Sequence, residues 1–148
     1  MYKINLNYIT SRGPWYFESW KADTKKSGGL STNIGIHFFD MLTWIFGPVV
    51  DIKMNYKRSD SESGWLLLEN AEVNWNLSIN HQDLPKEVIQ CGKSTFRLLE
   101  IDGESFEFSD GFTELHKVIY QKMLNGKGYG LVEAMPAIEI VEKIRGLL

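Results

Sequence analysis

Between residues 71 and 80 the chain alternates cleanly, with Val73, Trp75, Leu77 and Ile79 set against Asn74, Asn76, Ser78 and Asn80. A two-residue period places every second side chain on one face of a strand, which confines this stretch to a sheet with one buried face. Its other face is short and uncharged, suited to water or to a partner sheet. Residues 2 to 10 repeat the pattern through Tyr2, Ile4, Leu6 and Tyr8. Further strand-like runs fall at 49–57, 65–69, 95–101 and 105–108, and Asp102-Gly103 between the last two is a tight hairpin signal.

The remaining apolar residues follow a helical period. Residues 30–46 read as a helix that Gly47-Pro48 stops, because proline disfavours helical geometry in the residue before it. At about 100° per residue, Ile34, Phe38, Phe39, Met41, Leu42, Ile45 and Phe46 fill one broad arc that must face a core. Asn33, His37 and Asp40 line a narrow polar stripe on another side. Two more helices are expected at 112–124 and 131–147, joined by Gly-Lys-Gly-Tyr-Gly at 126–130. Residues 11–28 lack any period, and the rings of Trp15, Phe17 and Trp20 are expected to tie them down as a long ordered loop. Strands clustered between helices and joined by hairpins predict an α+β domain, a mainly antiparallel open sheet with helices packed on one face.

With 148 residues, 43% of them apolar and 24% charged, the chain is predicted to be one domain around a single core. The net charge of -3 gives no long-range attraction for nucleic acid or anionic lipid. Cys91 is the sole cysteine, so no intramolecular disulfide or cysteine metal cluster can form, and a reducing, cytoplasmic setting fits. The apolar stretch from Ile34 to Val50 is interrupted by His37, Asp40, Gly47 and Pro48, short of the roughly 20 residues that a spanning helix needs. Residues 1–10 read as a strand and not as a signal peptide, which suits a Met1 placed on an internal strand of a longer protein. Neither G-x-G-x-x-G after a strand nor G-x-x-x-x-G-K-[ST] occurs, so the chain alone is not expected to bind a dinucleotide. The 126–130 segment links two helices and not a strand to a helix, which makes it a turn.

His37 is the strongest candidate for chemistry, since an imidazole titrates near neutral pH and can exchange a proton with a hydroxyl. Spacing alone favours a satisfied structural histidine, hydrogen-bonded near the helix start. His81, at a strand end, and His116, on a surface helix, rank below it, and no pair of histidines has metal-ligand spacing. Lys21, Lys25 and Lys26 beside Trp15 and Trp20 form either an anionic sugar pocket or a solvated basic loop.

One set of residues resembles a known family. Trp20-Lys21, Gly28-Gly29, then Gly35, His37 and Asp40 match the C-terminal domain of the Gfo/Idh/MocA oxidoreductases, and residues 126–148 resemble that domain's closing loop and helix. The family's usual aspartate four residues before the histidine is Asn33 here, which removes a charge and puts an Asp/His proton relay in doubt. The string TNIGIHFFD, with Trp-Lys where the family usually has Trp-Arg, looks most like the branch that oxidises C3 of UDP-N-acetyl-2-amino-2-deoxyglucuronate for bacterial surface polysaccharides, lipopolysaccharide among them. By that resemblance His37 relays the hydroxyl proton, Lys21 and Asn33 orient the sugar, and Arg12 reaches its carboxylate or pyrophosphate. NAD and the catalytic lysine would lie in an absent N-terminal nucleotide-binding domain, with 1–148 forming the substrate-binding and oligomerisation domain, inactive alone. The open sheet face would then join copies into a dimer or tetramer. Another sugar or inositol dehydrogenase of the family, or a sugar-binding scaffold without enzymatic activity, would share these features.

Overall fold

The computed structural model describes residues 1–109 and 114–147. Six strands form one sheet: β1 (Tyr2–Thr10), β2 (Val49–Lys57), β3 (Ser61–Leu68), β4 (Ala71–Ser78), β5 (Thr95–Ile101) and β6 (Glu104–Glu107). Their order is β2-β3-β4-β1-β5-β6, and every neighbouring pair is antiparallel except β1 with β4. Hairpins join β2 to β3, β3 to β4 and β5 to β6, whereas β1 reaches β4 only after a long excursion, so those two run parallel. The β5–β6 turn takes Asp102 and Gly103 to φ 50° and 90°, as the hairpin signal requires.

One face of the sheet carries the core. Ile4, Leu6 and Tyr8 of β1 share it with Leu66 and Leu68 of β3, Val73, Trp75 and Leu77 of β4 and Leu99 of β5. Two helices close over it: α3 (Ile36–Phe46), through Phe39, Leu42 and Phe46, and α6 (Leu131–Gly146), through Ile140, Val141 and Ile144. Phe39 meets Trp75 edge-on at 5.4 Å, the favoured aromatic geometry at the heart of this layer. The opposite face stays open. Asn74 and Asn76 donate to Asn5 and Asn7 across the parallel pair at 3.4 and 3.1 Å, Tyr56 donates to Asn76 at 2.8 Å, and the Lys53 ammonium lies 4.8 Å from the Trp65 ring.

Several expectations need correction. Residues 11–28 form two short helices, α1 (Pro14–Glu18) and α2 (Thr24–Ser27), and not a loop anchored by Trp15, Phe17 and Trp20. Those three rings are 54, 54 and 57% exposed, while Tyr16, on the inward side of α1, is 3% exposed and is the true anchor. Ile45 falls outside the buried arc at 51% exposure. Its helix opens with a wider π turn, Ser31–Gly35, which changes the phase of everything after it relative to a regular wheel. Strand β3 begins four residues before Trp65, because Ser61 to Gly64 break the apolar pattern yet still pair with β2 and β4. Two helical turns, His81–Asp83 and α4 (Lys86–Gln90), precede β5. The helix expected at 112–124 is described from Leu115 (α5, Leu115–Leu124), residues 112 and 113 lying outside the described residues.

Candidate active site

Helix α3 runs back along β1, so that its start lies at the C-terminal end of that strand: Phe38 stacks 5.1 Å from Tyr8, and Phe46 stacks 5.5 Å from Tyr2. The expected site residues gather at that end. His37 stands exposed in the first turn of α3 and Asp40 is exposed one turn on. Asn33, in the π turn, is half-buried, and its amide nitrogen donates to the Gly29 carbonyl at 3.0 Å, which leaves Oδ1 to accept from a ligand hydroxyl.

Gly28 and Gly29 make the sharp reversal into this helix, with φ of 81° and 87° that side chains rarely tolerate. Space is as tight as the dihedrals: a Cβ on Gly29 would come within 2.5 Å of Oε1 of Glu62. Glu62 is 1% exposed. Its carboxylate accepts from the amides of Leu30 at 2.9 Å and Ser31 at 2.8 Å, and from the Ser31 hydroxyl. The positive end of the helix is thus already occupied by an internal anion.

The second group hangs from the end of β1. Arg12 is half-buried, its backbone amide donates to Ile79, and its Nε is buried with no hydrogen-bond partner among the described residues. Tyr16 donates from its hydroxyl to the Lys21 carbonyl at 3.4 Å, closing the turn that carries Lys21. Burial raises the Tyr16 hydroxyl above its usual pKa; the nearby Arg12 guanidinium opposes this and the Glu62 carboxylate adds to it. Lys21, Lys25 and Lys26 are all exposed, and Lys26 lies 3.7 Å from Asp23, so the latter two match a solvated basic face. Trp15 and Trp20 offer bare ring surface beside Lys21.

Three residues escaped the sequence reading: Tyr16, Glu62 and Arg97. Arg97 faces Tyr8 across the strands, with its guanidinium 5.0 Å from the ring, Nη2 3.4 Å from the hydroxyl, and Nε buried without a partner among the described residues. A period-two count would have put Arg97 on the same face as Leu99, an apolar-side position for a charge. His81 is exposed in the turn after β4, and His116 is exposed on α5. No cluster of three metal-ligating side chains exists among the described residues. A cavity of about 290 Å³ lined by Tyr2, Ile101, Asp102, Glu104 and Phe106 lies at the opposite end of the sheet. Among the described residues no helix is long and apolar enough to cross a membrane.

An open sheet backed by two helices, with a Gly-Gly reversal feeding a histidine-bearing helix at one end, is the architecture of the C-terminal alpha/beta domain of an oxidoreductase family. The chain belongs to the Gfo/Idh/MocA family: the model of the oxidoreductase family's C-terminal alpha/beta domain matches residues 1–70. Among solved structures, the chain is similar to the WlbA (WbpB) dehydrogenase from Thermus thermophilus in complex with NAD and alpha-ketoglutarate, at 46% identity and a TM-score of 0.94, over 99% of this chain and 48% of that one. The same dehydrogenase in complex with NAD and UDP-GlcNAcA matches at 45% identity and a TM-score of 0.92, over 97% of this chain and 46% of that one. An oxidoreductase from Agrobacterium radiobacter, 14% identical with a TM-score of 0.58 over 95% of this chain and 52% of that one, shares the fold alone. The chain therefore spans about half the length of these relatives.

The helix start at Leu30 and Ser31, where a pyrophosphate could otherwise be held by backbone amides, is filled by the Glu62 carboxylate.

Proposed function

We propose that this chain is the substrate-binding and oligomerisation domain of an NAD-dependent nucleotide-sugar dehydrogenase that oxidises C3 of UDP-N-acetyl-2-amino-2-deoxyglucuronate in lipopolysaccharide synthesis. What carries the reading is one conjunction at one sheet end: an exposed imidazole at His37, next in sequence to the Phe38 that packs on Tyr8, and two guanidinium Nε groups, on Arg12 and Arg97, that are buried without acceptors among the described residues. Buried N–H donors without partners cost about 1–3 kcal/mol each, which an anionic ligand would recover. A uronate carboxylate and a pyrophosphate are two such anions, whereas a neutral sugar supplies neither. The 45% identity to a dehydrogenase solved with NAD and UDP-GlcNAcA supports the same substrate class.

The roles follow from chemistry and placement. His37 takes the proton of the C3 hydroxyl, and Asn33 Oδ1 and the Lys21 ammonium orient the sugar. Arg12 pairs with the carboxylate or pyrophosphate in the planar fork geometry of a guanidinium. NAD, held by a nucleotide-binding domain outside these residues, supplies the hydride acceptor. The open face of the sheet, with its asparagine ladder and Trp65, joins copies of the chain into a dimer or tetramer, and one unpaired cysteine suits a cytoplasmic enzyme.

Two arms test this. This chain alone should produce no NADH from NAD and the uronate sugar, and joined to a nucleotide-binding half it should. The joined enzyme should prefer the uronate to UDP-N-acetylglucosamine, which keeps the pyrophosphate but lacks the carboxylate, by at least about 100-fold in kcat/KM, the value of one or two charge-assisted contacts. Equal turnover of both nucleotide sugars contradicts recognition of the uronate carboxylate.

A further inference from the structure

Glu62 is a buried carboxylate that none of the roles above uses. It sits on β3, opposite Leu77 of β4 and Lys57 of β2, on the helix-bearing face of the sheet and 1% exposed. No cation among the described residues pairs with it; its charge is met by two amides, one hydroxyl and the positive end of the helical segment. Burying a carboxylate is costly, and a helix start is ordinarily capped by a serine, threonine or aspartate of its own. Here the N-terminal residue Leu30 has no cap, and the acceptor arrives from a strand more than thirty residues further along the chain.

Such an arrangement achieves what a local cap cannot. A local cap satisfies amides but leaves the helix free to shift over the sheet, whereas an acceptor rooted in β3 fixes the helix start to the sheet. Gly29 permits the approach, since any side chain there would strike Oε1. The segment so fixed is short: Asn33 follows Ser31 by two residues, and His37 by six. Glu62 also lies within electrostatic reach of Tyr16, whose hydroxyl holds the Lys21 carbonyl. One carboxylate therefore touches or influences both segments that carry the proposed substrate contacts.

We infer that Glu62 is a positioning residue, which holds Asn33 and His37 at a set height and rotation relative to Lys21 so that proton transfer at the sugar hydroxyl is aligned. The inference rests on the functional reading above. Misplacement of a reacting group by about 1 Å can cost about 100-fold, so the effect of disturbing this anchor should reach the rate while the chain stays folded.

The test is a double-mutant cycle in the dehydrogenase formed by this chain and its nucleotide-binding half. Glu62→Gln keeps the shape but sets an NH2 against an amide donor. It should lower kcat by at least about 10-fold with the KM for NAD unchanged, yet cost less than about 3-fold when His37 is already Ala, because residues that act as a unit are not additive. The same factor in both backgrounds, or no loss in either, overturns the inference. Should the Gln variant fail to fold, Ser31→Ala, which removes only the hydroxyl partner, gives the same cycle with a smaller factor. If the enzyme oxidises no nucleotide sugar at all, the functional reading fails on its own. Glu62 is then judged by the backbone amide shifts of Asn33 and His37 in the Gln variant, and shifts at wild-type positions would overturn the anchor too.

Discussion

The two halves of the helix-bearing face are built differently. Over β2, β3 and β4, helices α3 and α6 seal a layer in which Leu66, Leu68, Val73, Leu77, Phe39 and Ile140 have no exposed surface. Beyond β1, β6 has no buried residue, Phe106 is 50% exposed, and α5 buries none of its ten residues. The first turns of α6 behave like α5, with Leu131 and Val132 80 and 82% exposed, and only from Ala137 onward does that helix enter the core. Stability is concentrated in the covered half. The site lies along the seam, where β1 and the start of α3 are rigid but their outer neighbours are bare.

Substitutions can sharpen that contrast, and the largest effect belongs to the covered half. Phe39→Ala should cost about 3–5 kcal/mol in denaturant unfolding, since the ring is wholly enclosed and its removal leaves a cavity against Trp75. Tyr16→Phe, at the seam, should cost about 1 kcal/mol by losing the bond to Lys21. Because the hydroxyl's pKa is raised on folding, the stability it contributes is complete below its ordinary value of about 10 and declines as pH rises through the folded value. Titration of wild type against the Phe variant should show that loss only on the alkaline side. Leu124→Asp, on an 87% exposed position of α5, should change stability by less than about 0.5 kcal/mol. A destabilisation comparable to that of Phe39→Ala would show that α5 belongs to the core after all. On the open face, Asn74→Arg should shift sedimentation toward monomer if copies of the chain pack there, at little cost to the fold.

Much of the covered half is legible in the sequence because it obeys one rule at a time. The alternation at 71–80 and 2–10 announces buried and open faces, and those strands pair in register with each other, Ile4 with Val73 and Leu6 with Trp75. Helix α3 is legible from its apolar arc, but the π turn is not, because its five residues carry no compositional mark, and the arc is broad enough to include Ile45, which the structure leaves exposed. The candidate site is legible only in part. Helical spacing puts Asn33 and His37 on one polar stripe and the resemblance adds Lys21, yet the glutamate proposed to hold them does not show. A glutamate in a strand reads as solvent-facing, and nothing near Glu62 in the sequence points to Leu30 and Ser31. Tyr16 is hidden for a related reason: three other rings, Trp15, Phe17 and Trp20, surround it in the sequence, and only the backbone of α1 decides which ring turns inward.

The most direct measurement is the initial rate of NADH formation from the uronate nucleotide sugar by the joined enzyme, wild type against His37→Gln. Loss of a positioned acid-base group should lower kcat by about 100-fold or more while leaving the KM for NAD in place. A glutamine variant that turns over at the wild-type rate would contradict the assignment of His37 and, with it, the central claim that this sheet end handles the sugar's proton.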